Sequence, residues 1–209
     1  MLKLETFPVG PLQCNCSLVW DPSMGTGVVV DPGGEGAKIR SRVEALGFRV
    51  TALIHTHAHF DHVGATKELQ DHWQCPAHLH TGDAFLIENL DLQTGAFGFP
   101  KIPKPETMEL QAGDRFEGLG TLHTPGHTPG SCCFHGAFEK GHVLLSGDTL
   151  FRGGVGRTDL WGGDWDQLEA SIQRELYPLD PATLVIPGHG PATVLGEEAE
   201  SNPFVRSLT

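Results

Sequence analysis

His57-Ala58-His59-Phe60-Asp61-His62 puts four side chains able to ligate a metal within six residues. The stretch follows an apolar run, Val50 to Ile54, and precedes a helical pattern from Val63 to Trp73. A loop that leaves a strand end and enters a helix can aim several side chains at one point. Imidazole nitrogen and carboxylate oxygen suit zinc, iron and manganese. The bland alternative is a solvated cluster in a His-rich chain. Three more stretches in the same setting argue against it.

Thr124-Pro125-Gly126-His127-Thr128-Pro129-Gly130-Ser131 follows an apolar segment ending near His123. Gly147-Asp148-Thr149 follows Val143 to Ser146, and Pro187-Gly188-His189-Gly190 follows Leu184 to Ile186. Each sets one His or Asp in a Gly-containing turn just past a predicted strand, where a rigid element fixes the side chain. The set is His57, His59, Asp61, His62, His127, Asp148 and His189. Seven ligands are too many for one tetrahedral zinc and enough for two metals if one carboxylate bridges. Two metals about 3.5–4 Å apart can activate a water between them and polarise a substrate oxygen, which is hydrolytic chemistry without a Ser or Cys nucleophile.

The bulk properties fit a globular enzyme. The chain has 209 residues, 39% hydrophobic and 19% charged, which is enough for one sizeable core. No apolar run approaches the roughly 20 residues of a membrane span. Met1-Leu2-Lys3-Leu4-Glu5 lacks the apolar core of a signal peptide. A cytoplasmic protein without a membrane partner is therefore expected. Net charge is -12, and no Lys/Arg stripe offers a phosphate-binding face, so nucleic acid is not an expected partner. Cys14, Cys16, Cys75, Cys132 and Cys133 are odd in number and contain no Cys-x-x-Cys pair. They read as free thiols in a reducing compartment.

The local pattern predicts strands at Leu2–Phe7, Ser17–Trp20, Gly27–Val30, Val50–Ile54 and Ala77–Leu79. Helices are predicted around Ile39-Val43-Leu46, stopped by Gly47, around Ala65-Leu69-Trp73, and over Gly82–Leu90. Asp91 to Pro105 reads as a long loop, with Phe97 and Phe99 expected to form an ordered wall over the site. The second half repeats the grammar, with strands at Arg115–Glu117, Leu119–Thr124, Ser131–Phe134, Val143–Ser146 and Leu184–Ile186. One helix there is marked by Leu168, Ile172 and Leu176. Two sheet-plus-helix halves packed sheet to sheet would give an α+β, four-layer αββα sandwich. His55 is the candidate to support the motif from behind, and Trp161 and Trp165 read as core or cap residues.

With its seven candidate ligands, the sequence resembles the metallo-β-lactamase superfamily, and within it short bacterial glyoxalase II-like (hydroxyacylglutathione hydrolase) enzymes. The likeness includes Asp31-Pro32-Gly33-Gly34, Thr124–Ser131, Gly153–Asp159 and Asn202-Pro203-Phe204. The resemblance implies the αββα fold over a single domain, residues 1–209. It implies two divalent metals, zinc first, with iron or manganese compatible. One metal is assigned to His57, His59 and His127, the other to Asp61, His62 and His189, with Asp148 bridging. Asp61 and Asp148 are then the catalytic carboxylates. The implied reaction is hydrolysis of a glutathione-derived thioester such as S-D-lactoylglutathione by a metal-bridging hydroxide.

The sequence also departs from its relatives. Common dizinc lactamases carry Cys where Asp148 stands, which disfavours antibiotic hydrolysis. Nuclease members carry a large insertion that is missing here. The C-terminal helical domain that supplies glutathione contacts in full-length glyoxalase II is not expected after His189. Family Lys and Tyr contacts fall at Arg157 and Asp159, leaving Arg157 as the candidate substrate anchor. Persulfide dioxygenases, with one iron on equivalents of His57, His127 and Asp148, share the Gly156–Asp159 stretch and are the alternative. A protein holding metal for structure only is a third reading; the open Gly-rich setting opposes it.

Overall fold

A computed structural model describes residues 1–208. The first half contains β1 (Lys3–Val9), β2 (Cys14–Asp21), β3 (Thr26–Val30), α1 (Gly36–Leu46), β4 (Arg49–Ile54), α2 (Phe60–Val63), α3 (Thr66–Trp73), β5 (Ala77–His80), α4 (Ala84–Glu88), α5 (Leu90–Ala96) and β6 (Thr107–Leu110). The second contains β7 (Arg115–Phe116), β8 (Leu119–His123), β9 (Cys132–Phe138), β10 (Gly141–Gly147), β11 (Leu150–Phe151), β12 (Gly154–Val155), α6 (Trp165–Ser171), β13 (Leu184–Pro187), β14 (Thr193–Val194) and α7 (Leu195–Ser201).

β1 to β6 form one six-stranded sheet in sequence order, and a second is ordered β14-β13-β10-β9-β8-β7. β3, β4, β5 and β6 run parallel. Parallel neighbours need crossovers, and helices α1 to α5 supply them. The period-2 alternation of strands decides the layers. Val28, Val30, Ala52 and Ile54 meet Leu119, Cys132, Phe134, Val143 and Leu145 in a core between the sheets. The alternate residues Val29 and Leu53 turn outward to Ile39 and Val43 of α1 and Leu69 of α3. Cys133, Leu144 and Val185 turn to Leu168, Ile172, Leu176 and Leu195. The result is the expected αββα sandwich, with Cys132 and Cys133 on opposite faces of β9. All five cysteines are free and buried. Among the described residues no helix is long and apolar enough to cross a membrane.

Gly47 ends α1 with a φ of 72°, and its N–H caps the Val43 carbonyl, as expected of a glycine C-cap. Other boundaries differ from the sequence reading. The helical pattern from Val63 to Trp73 is broken between α2 and α3. Gly82–Leu90 divides into a 3₁₀ turn, Thr81–Asp83, followed by α4. Asp91–Pro105 is not all loop, because α5 covers Leu90–Ala96. Its Pro-rich remainder stays irregular, and Phe97 and Phe99 pack tilted against Phe60 at 5.5 and 5.3 Å between ring centroids.

Candidate metal centre

The seven candidate ligands gather at one edge of the sandwich, beyond the C-terminal ends of β4, β8, β10 and β13. His57 and His59 lie in the loop after β4, and Asp61 and His62 in the first turn of α2. His127 comes from the β8–β9 loop, Asp148 follows β10, and His189 follows β13. His57, His59 and His127 form one group able to hold a metal, and Asp61, His62 and His189 another. His57, His62 and Asp148 form a third that joins them.

In the first group His59 Nδ1 lies 3.0 Å from His57 Nε2 and 2.9 Å from His127 Nε2. In the second, His189 Nε2 is 3.1 Å from Asp61 Oδ2 and 3.3 Å from His62 Nε2. Asp148 stands between them. Its Oδ1 is 3.5 Å from His62 Nε2, and its Oδ2 is 3.6 Å from His127 Nε2 and 3.9 Å from His189 Nε2.

The far side of each ring decides what faces inward. His127 Nδ1 donates to the Arg157 carbonyl at 2.7 Å, and His189 Nδ1 to the Leu12 carbonyl at 3.0 Å. His62 Nδ1 donates to Asp31 Oδ2 at 3.0 Å. The Thr56 hydroxyl gives its proton to Asp31 Oδ2 at 2.6 Å, so at 3.1 Å it accepts from His57 Nδ1. Carbonyl and carboxylate oxygens only accept, so these four rings carry their neutral-state proton on Nδ1. Their Nε2 lone pairs then point into the site, the usual arrangement of a metal-ligating His.

In the neutral rings these converging lone pairs repel unless a proton or a metal cation lies among them. Among the described residues Asp148 Oδ1 is buried and has no hydrogen-bond partner, a costly state for a carboxylate oxygen. Bare nitrogens, two carboxylates and an orphaned oxygen fit divalent cations by the chemistry of the donor set. The charge balance agrees. Burial, aided by neighbouring imidazoles, holds His57 well below its ordinary pKa and lowers His59 to about 3. For Asp61 burial opposes ionisation, but His62 and His189 outweigh it and hold the carboxyl below its usual range.

Two carboxylates support the site from behind, and neither stood out as a site residue in the sequence. Asp31 binds Thr56 N–H and hydroxyl as well as His62. It lies in the Asp31-Pro32-Gly33-Gly34 turn, which carried part of the family likeness but no assigned role. Asp83 accepts from Ala58 N at 3.0 Å, the Thr128 hydroxyl at 2.8 Å and Gly130 N at 2.7 Å, tying the first motif to the His127 loop. Among the described residues the His55 ring has no hydrogen bond to any of the seven. Its nitrogens meet the His78 carbonyl and the Thr66 hydroxyl.

Arg157 is exposed and forms a two-pronged pair with Asp159, Nε–Oδ1 2.7 Å and Nη2–Oδ2 2.8 Å. Trp161 and Trp165 are 48% and 39% exposed, so neither is a core residue, and Trp161 lines a cavity beside His59.

The metallo-β-lactamase superfamily matches residues 9–189, and the chain belongs to it. Hydroxyacylglutathione hydrolase GloC of Haemophilus influenzae is 39% identical over 213 residues, covering 99% of both chains. The crystal structure of TTHA1623 in a di-iron-bound form superposes with a TM-score of 0.87 at 42% identity, over 96% of this chain and 100% of that one. That of BLEG-1, a B3 metallo-beta-lactamase, gives 0.86 at 34% identity, over 97% and 99%. The fold is thus the metallo-β-lactamase fold, with a His/Asp cluster suited to divalent metals.

Proposed function

We propose that the chain is a two-metal hydrolase of small-molecule thioesters, with glutathione-derived compounds of the S-D-lactoylglutathione type as its substrate class. The observation that carries the reading is Asp148, placed between two His-containing groups with a buried oxygen that lacks a partner. The similarity to GloC supports the choice of thioester. The set of nitrogen and oxygen donors suits zinc first, with iron and manganese compatible; TTHA1623 was obtained with two irons.

Divalent cations held here would supply Lewis acidity for the carbonyl and lower the pKa of water towards neutrality. The chain's own residues do the rest. Asp31, Thr56 and the carbonyls of Arg157 and Leu12 hold the Nδ1 protons and so keep the Nε2 lone pairs on the site. Asp148 places one negative charge between the two groups, and Asp61 adds one to the second alone. Phe60 packs against Phe97 and Phe99, Phe97 bordering a cavity beside His59 and the other two one beside Asp61. Arg157 anchors a glutathione carboxylate by releasing Asp159, an exchange between two exposed partners that costs little.

The test combines metal content with turnover. Protein grown in metal-replete medium should hold two metals per chain and hydrolyse S-D-lactoylglutathione. One metal per chain with oxygen consumed on glutathione persulfide would establish the mononuclear iron reading instead. Hydrolysis of a β-lactam without thioester turnover would overturn both.

A further inference from the structure

A cavity of about 190 Å³ opens beside His59. Its walls are Leu86, Ala96, Phe97, Leu160 and Trp161. Phe97 and Trp161 are half-exposed, so aromatic surface stands ready at the site with no protein packed over it. Gln93 also borders the cavity, but its amide is used up. Its Oε1 accepts from Phe60 N at 3.1 Å, and its Nε2 donates to the carbonyls of Leu86 at 2.9 Å and Ala58 at 3.2 Å. Among the described residues no charged side chain lines the space. Apart from the His59 ring, its lining is apolar or already hydrogen-bonded.

Such a wall decides what it accepts. A hydroxyl or charge buried there without a partner loses its hydration and gains nothing in return. An apolar group gains by leaving water. An apolar cavity of roughly 150 Å³ accommodates benzene, so this one has room for a phenyl ring with little to spare. The peptide part of a glutathione thioester has charged ends that this lining cannot pair. The acyl side is the half that fits.

We infer that the cavity receives the acyl substituent of the substrate and selects a compact apolar one, phenyl-sized, over hydroxyacyl groups. The inference rests on the thioester reading and, within glutathione thioesters, ranks apolar acyl groups above hydroxyacyl ones such as D-lactoyl. In the reaction a water oxygen bonds to the acyl carbon and the carbon–sulfur bond breaks with its electron pair on sulfur. One water proton ends on the thiol, and the other is released as the acid ionises to carboxylate. The cavity walls hold the acyl group still while this happens.

The test uses the metal-loaded full chain and three glutathione thioesters, with acetyl, D-lactoyl and phenylacetyl groups. The phenylacetyl compound should show a kcat/KM roughly ten- to a hundredfold above the other two. Ala96→Leu, at an exposed position, should fill the space, and Trp161→Ala should remove a wall. Each should cut the phenylacetyl kcat/KM at least about tenfold more than the acetyl value. A second readout is binding of phenylacetate by calorimetry, which both variants should weaken and D-lactate should not match. A flat acyl series, or one led by D-lactoyl, overturns the inference and leaves thioester hydrolysis standing. No turnover of any thioester overturns the thioester reading. In that case phenylacetate binding lost in both variants upholds an apolar cavity at the site, and its absence in the parent protein removes that too.

Discussion

Asp31 Oδ2 stands 3.0 Å from His62 Nδ1, and Asp31 holds that place with a positive φ of 49° while almost wholly buried. The carboxylate can only accept, so it keeps the proton on Nδ1 and the lone pair on Nε2. Asn tolerates the left-handed backbone, so Asp31→Asn leaves the turn intact. It cannot reproduce the acceptors. One amide orientation sets a donor against Thr56 N, and the other sets it against His62 Nδ1. The expected outcome is a loss of about 10- to 100-fold in metal affinity at the Asp61/His62/His189 group, with a smaller loss at the His57/His59/His127 group, which Asp31 reaches only through Thr56. Metal titration of the stripped variant checks it; equal weakening of both groups would show that the direct contact with His62 carries no extra weight.

Metal uptake should release protons from His62 and His189 and not from His57 and His59. Burial opposes a charge on His62, yet Cys14 and the carboxylates of Asp148, Asp31 and Asp61 outweigh it and raise its pKa well above the usual value. Cys14 itself is pushed up to about 12 by burial, so at neutral pH it is a thiol and the carboxylates supply the attraction. His189 is likewise raised, chiefly by Asp61 and Asp148 working against burial. His57 and His59 are lowered and already neutral. Cations at the second group must displace protons, so affinity there rises with pH. In the metal-free chain the raised histidines stabilise the fold below their unfolded pKa of about 6.5. That contribution fades as pH climbs through the folded values, so Tm should fall on that limb only without metal. Loading the stripped protein in a pH-stat, site by site, measures the release. No protons from the second group would contradict the assignment.

Asp148 and Gly188 give a paired test of the bridging position. Asp148→Asn keeps the shape and removes the charge between the two groups. Turnover should fall by at least about a hundredfold, with the melting temperature held and metal content reduced. Gly188→Ala should reach the same end by sterics, since a Cβ there would lie 2.2 Å from Asp148 Oδ1 and 2.7 Å from His62 Cε1. Full turnover at unchanged metal content in Asp148→Asn would show that Asp148 does not bridge. Asp61→Ala should instead empty only the second group.

Much of the molecule was legible because its signals are local. Val28, Val30, Ala52 and Ile54 alternate along their strands, and the motif residues stand at strand ends where the chain must turn. β6 was not legible, since its first three residues are exposed and only Leu110 is buried, which erases the alternation. α5 hid behind the prolines that follow it. Asp31 and Asp83 were given no role because their partners, His62 and Thr128, are 31 and 45 residues away. A turn Asp and a supporting Asp look the same until the chain is folded. His55 misled for the converse reason. It is close in sequence to the motif but packs behind it, against the His78 carbonyl and Thr66.

Arg157 separates backbone from side chain. Its carbonyl holds the His127 Nδ1 proton, and any residue can supply that. Its guanidinium pairs with Asp159 at the surface, so a substrate carboxylate must compete for it. Contacts present equally in the bound and transition states change KM more than kcat. Arg157→Ala should therefore raise KM for S-D-lactoylglutathione several-fold, with kcat, metal content and Tm close to the parent. Asp159→Ala frees the guanidinium and should lower KM, which a purely structural ion pair would not do. In the double variant KM should match that of Arg157→Ala alone, since without the guanidinium Asp159 has nothing to compete for. Steady-state kinetics on the three proteins decide it: a KM unmoved by both single substitutions would leave Arg157 with its carbonyl role only.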